Sequence, residues 1–70
     1  MSLKERRQLA KKIRELRIEQ GLTQEEAANN CGVAYKAYQL YESKKTPDVR
    51  LSTIVKLAKG FGVTIGDLFT

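Results

Sequence analysis

Thr23-Gln24-Glu25-Glu26-Ala27-Ala28-Asn29-Asn30-Cys31-Gly32-Val33, followed by Ala34 to Ser43, is the stretch that decides how this chain folds. Thr23 and Glu26 have the spacing of a capping box, in which the hydroxyl takes one free amide of a new helix and the carboxylate reaches back to another. Glu25 and Glu26 also place two acids in the positive first turn. Gly32 stops the run after two turns, because glycine accepts the left-handed conformation common at helix ends. Asn29 and Asn30 weaken that end further. Ala34 to Ser43 then has no glycine or proline, so a second short helix is expected there.

Upstream, Leu9, Ile13 and Leu16 fall at i, i+4 and i+7 with Ala10 beside them, one apolar stripe of a helix drawn from Leu3 to Gln20. Ser2 and Glu5 supply its capping box and Gly21 its stop. Residues 1–8 are expected to fray. Downstream, Lys44 to Arg50 reads as a loop around Pro47. A fourth helix carries Leu51, Ile54, Leu57, Ala58 and Phe61 and runs out at Gly60 and Gly62. Thr64 and Asp67 cap a fifth, final turn with Ile65, Leu68 and Phe69. No period-two strand pattern occurs, so the fold class is all-α, a compact five-helix domain over residues 1–70. Its central short-helix pair, about residues 23–43, is a helix-turn-helix pattern.

Composition narrows the function classes. Seventy residues, 41% of them hydrophobic, leave room for one small core. About 60% of the unfolded surface is buried at that size, so dimerisation is the expected additional source of stability. One cysteine and no histidine exclude a Cys/His metal site, an internal disulfide and a histidine-based triad. No apolar run is long enough for a membrane span or a secretory signal, and the unpaired thiol fits a cytoplasmic setting. No catalytic residues, cofactor, metal or small-molecule ligand are expected. Thirteen Lys and Arg against eight Asp and Glu give a net charge of +5. The excess is uneven: +4 over residues 1–20, −2 over 21–42 and +3 over 43–70. A pI near 9.6 suits a polyanionic partner.

Leu22-Thr23-Gln24-Glu25-Glu26, Ala28, Gly32-Val33, Tyr41-Glu42, Pro47, Thr53 to Ala58 and Gly62-Val63 with Asp67-Leu68-Phe69 resemble the phage lambda repressor/Cro-type (XRE-like) helix-turn-helix family. The resemblance runs from about Leu9 to Phe69. It implies a sequence-specific regulator of transcription that binds double-stranded DNA, often as a homodimer, with the helix over about 34–43 in the major groove. It further implies base contacts from Tyr35, Lys36, Gln39 and Leu40, and phosphate contacts from Gln24, Lys44 and Lys45. Arg17 and Glu42 match an internal ion pair of the family.

The departures bear on specificity. Ala34 stands where a capping Ser or Thr is usual, Leu40 is limited to apolar contact with a thymine methyl, and Lys44 replaces a glycine. Lys36 suits guanine and Gln39 suits adenine. Tyr38, Tyr41 and Cys31 are expected in the core and Tyr35 outside it. The basic residues of the first helix are read as a solvated face that adds long-range attraction to DNA. Phe61, Ile65, Leu68 and Phe69 are expected at a dimer interface. The aromatic recognition helix keeps a second function open: a protein-interaction module, such as an antitoxin or adaptor part, with secondary DNA binding.

Overall fold

A computed structural model describes residues 1–70. Four α-helices, α1 (Leu3–Glu19), α2 (Gln24–Cys31), α3 (Tyr35–Glu42) and α4 (Leu51–Phe61), precede a single 3-10 turn, Gly66–Phe69. The expected fifth helix is therefore only that turn. Its Thr64/Asp67 box does form, with the Thr64 amide donating to Asp67 Oδ2 at 3.0 Å and the Asp67 amide to Thr64 Oγ1 at 3.1 Å. Four residues are too few to propagate beyond it.

The other two boxes form at Ser2/Glu5 and Thr23/Glu26, each with both hydrogen bonds. The capping carboxylates of Glu5 and Glu26 are held below the usual carboxylate range by the backbone amides they accept from. The first residues, expected to fray, are tied to the loop before α4. The Met1 amino group donates to Asp48 Oδ1 at 2.6 Å, and Met1 also packs against the core.

Leu9, Ile13 and Leu16 of α1 meet Ala27, Ala28 and Cys31 of α2, Tyr38 of α3, and Ile54, Leu57, Ala58 and Phe61 of α4 in one core, closed by Val49 and Leu68. The Tyr38 and Phe61 rings lie tilted to one another, 6.4 Å between centroids. Tyr41 is half-buried at the edge. Burial pushes the Cys31 thiol up to about 11, which keeps it protonated and inert at neutral pH.

Gly60 does not stop α4. The helix continues to Phe61 and ends at Gly62, whose φ is 73°. Gly60 is small for a tertiary reason: a Cβ there would lie 2.6 Å from the Cys31 Cα and press into its side chain. α2 and α4 therefore cross with backbones in contact at this pair.

Candidate nucleic-acid interface

α3 turns one face into the molecule and one out. Tyr38 is its fully buried side chain, whereas Tyr35, Lys36, Gln39 and Leu40 all point to solvent, with Tyr35 43% and Leu40 54% exposed. Two large apolar groups thus lie on the outward face of α3. Ala34 is the N-cap of α3 with an extended backbone and offers no side-chain hydrogen bond, so the first amides of the helix stay free.

What holds α3 in place is a largely buried polar cluster beneath it. Arg17 Nε donates to Glu42 Oε2 at 2.7 Å and Arg17 Nη2 to Glu42 Oε1 at 3.1 Å, a bidentate pair. Arg17 Nη1 also donates to the Leu22 carbonyl at 3.0 Å, so one guanidinium fixes the α1–α2 turn and the last residue of α3 together. The Glu42 side chain is 4% exposed and that of Arg17 17%. Burial is the largest single influence and pushes the Glu42 carboxyl up, but the hydrogen bonds and charge of Arg17 together with the Tyr38 and Gln24 side chains outweigh it and leave the carboxyl below its ordinary value. The Tyr38 hydroxyl is buried beside this pair without a hydrogen bond of good geometry, and burial drives its pKa well above the usual tyrosine value.

Gln24, the first residue of α2, joins the cluster through Nε2, which donates to Glu42 Oε1 at 3.4 Å. An amide nitrogen has two N–H bonds, so one remains for an outside acceptor. The backbone amides of Gln24 and Glu25 also have no acceptor within the chain. Gln24 and Gln39 line the same shallow cleft with Arg14, Arg17, Glu42 and Ser43. The structure thus brings Gln24 next to the exposed side of α3.

Lys44 and Lys45 follow α3 in a tight bend. Ser43 Oγ donates to the Leu40 carbonyl at 2.7 Å and accepts from the Lys45 amide at 3.3 Å, while the buried Thr46 donates to the Ser43 carbonyl at 2.7 Å. The bend needs no glycine, which accounts for Lys44 being tolerated there. Both lysines are exposed.

The dimer candidates do not stay together. Phe61 and Leu68 are buried in the chain's own core, because α4 and the 3-10 turn close its lower side, so neither is available to a second copy. Ile65 is exposed and Phe69 half-buried. Sequence reading also missed a neighbour of the site. Arg7, Lys11 and Arg14 of α1 share a cleft with Ser43 and Lys44, an arrangement that depends on how α1 crosses α3. Their i, i+4, i+7 spacing was the only local signal.

Known proteins bear on this geometry. A family profile described as helix-turn-helix matches residues 13–68, and the chain belongs to that family, in its Cro/repressor-like branch. The cryptic phage CTXphi transcriptional repressor RstR of Vibrio cholerae is 51% identical over 57 residues, covering 81% of this chain and 50% of that protein. The chain thus spans half the length of this curated relative. A crystal structure of the hypothetical transcription factor NHTF from Neisseria superposes with a TM-score of 0.87 at 33% identity, over 94% of this chain and 73% of the other.

Proposed function

We infer that this chain is a DNA-binding regulator of transcription that reads double-stranded DNA with α3. The observation that carries the reading is the outward face of α3, with Lys36 exposed, Gln39 in one cleft with Gln24, and the helix pinned from below by Arg17 and Glu42. Tyr35, Lys36, Gln39 and Leu40 face base edges in the major groove. Lys36 donates to guanine and Gln39 pairs with adenine, while Leu40 and Tyr35 supply apolar contact to thymine methyls. The free N–H of Gln24, with the first amides of α2, takes one phosphate, and Lys44 and Lys45 take others. The family membership and the repressor among the relatives support this reading.

Two copies would present recognition helices about 34 Å apart and read a near-palindromic site. Of the four residues expected at that contact, Ile65 and Phe69 remain outside the core. A dimer over a promoter would block polymerase and one placed upstream would activate by contact, and the proposed place of action is the cytoplasm. No helix is long and apolar enough to cross a membrane.

The exposed Tyr35 and Leu40 favour one alternative, that α3 docks on another protein. Paired variants separate the two. On DNA, Lys36→Ala changes base preference by about 1–3 kcal/mol at one position, whereas Lys45→Ala weakens all duplexes alike and reduces the salt slope by about 1. If both variants bind duplexes as the parent does, protein docking takes first place.

A further inference from the structure

We propose that the cleft between α1 and the end of α3 is a second phosphate site, gripping the DNA strand beyond the base pairs that α3 reads. The inference rests on the DNA-binding reading above and extends it to residues outside the helix-turn-helix. The cleft has a volume of about 360 Å³, and its rim carries Arg7, Lys11, Arg14 and Lys44 around a floor of Ala10 and Ser43. Its one acid is Glu42, which Arg17 already neutralises. Arg7, Arg14 and Lys44 have no acidic partner within 4 Å, and Lys11 reaches Glu15 only at 4.0 Å across an exposed face. Four cations held together with only that one loose ion pair among them repel one another, a cost that a bound polyanion removes.

Position selects a nucleic-acid strand as that polyanion. Arg14, Glu42 and Ser43 also line the neighbouring cleft that contains Gln24 and Gln39, so the two form one trough along the α1–α3 crossing. The trough starts beside the reading face and leads outward to Arg7. From Arg7 to Arg14 the helix rises about 10 Å, against an axial rise of about 3.4 Å per phosphate of one strand. The row is therefore long enough to follow a backbone past a single phosphate. Side chains of arginine and lysine on a rigid helix give such a contact without reading sequence.

The experiment compares the parent chain, the double variant Arg7→Gln with Lys11→Gln, and a control that removes the same charge from α4, Lys56→Gln with Lys59→Gln. Each is titrated by fluorescence anisotropy against a duplex selected by the parent and against the same duplex trimmed at its flanks, between 50 and 300 mM (roughly a sixfold range) KCl. The expected result is a loss of roughly tenfold per missing contact near 0.1 M salt, and a log–log salt slope lower by about 0.9 for each. Base preference stays as in the parent. Trimming the flanks weakens the parent and leaves the Arg7/Lys11 variant nearly unaffected, and the α4 control behaves as the parent. If the Arg7/Lys11 variant keeps the parental slope and flank dependence, the cleft is not a strand site; a cleft built for an acidic protein segment gives that same result. If the parent itself binds no duplex, the DNA reading falls and the proposal with it, so the two failures are distinct.

Discussion

Arg17 and Glu42 are where a single side chain has the largest leverage. Glu42 is almost closed off from water, and three hydrogen bonds from Arg17 and Gln24 satisfy its oxygens. Arg17→Ala strands a buried carboxylate and is expected to cost about 3–5 kcal/mol in urea unfolding. Glu42→Gln keeps part of the hydrogen bonding and should cost less. The pair also sets an acid limit on stability. Glu42's pKa is depressed on folding, so its contribution is full above the ordinary carboxylate value near 4.5. It is lost as pH falls through the lower folded value. Unfolding midpoints followed from pH 7 towards about pH 3 should fall for the parent and fall less steeply for Glu42→Gln. Equal slopes would show that the other carboxylates held below their usual range, Glu5, Glu26 and Asp67 at the caps and Asp48 beside the Met1 amino group, account for the acid limit instead.

At the scale of the helices, α3 and α4 both start without a capping side chain, and in α3 that start lies on the proposed reading surface. Ala34→Ser should raise stability by about 1 kcal/mol in a thermal melt by supplying the missing acceptor. Gly60→Ala should do the reverse. Alanine has the better helix propensity, but its Cβ would press on the Cys31 backbone, and overpacking of this kind costs about 1–3 kcal/mol. Combining it with Cys31→Ala should bring little rescue, because the Cα and Cβ of residue 31, 2.6 and 2.9 Å from the added Cβ, both remain. The same pair shows what was legible beforehand. Capping boxes at Ser2/Glu5, Thr23/Glu26 and Thr64/Asp67 are readable because both partners lie three residues apart, and the apolar stripe of α1 because its period is local. Gly60 reads from sequence as a helix stop, since nothing nearby in the chain says that α2 crosses there. Phe61 and Leu68 read from sequence as dimer-interface residues for the same reason: whether one core uses them depends on how α4 and the final turn fold back. The Arg7–Lys11–Arg14 row was visible, but its meeting with Lys44 was not.

For the molecule as a whole, charge and shape act together. The acidic segment, residues 21–42, contains the reading helix, while the basic residues flank it in α1 and after Ser43. On the proposed reading, long-range attraction comes from the flanks and discrimination from α3, and the two should separate in experiment. Raising salt should weaken every duplex, while the order of preference among sequences persists. Sedimentation with and without a palindromic duplex tests the two-copy arrangement: Ile65→Glu should weaken assembly on a two-site duplex and leave binding to a single half-site near the parental value.

Selection from random duplex DNA, followed by titration of the enriched sequence at two salt concentrations, tests the central claim most directly. The account predicts an enriched, two-fold symmetric site whose half-sites lie about one helical turn apart, bound at least 10³-fold (roughly) tighter than bulk duplex and weakening steeply with salt. Absence of any enriched sequence, with only weak salt-sensitive binding to all duplexes, would contradict it and leave the outward face of α3 as a surface for protein.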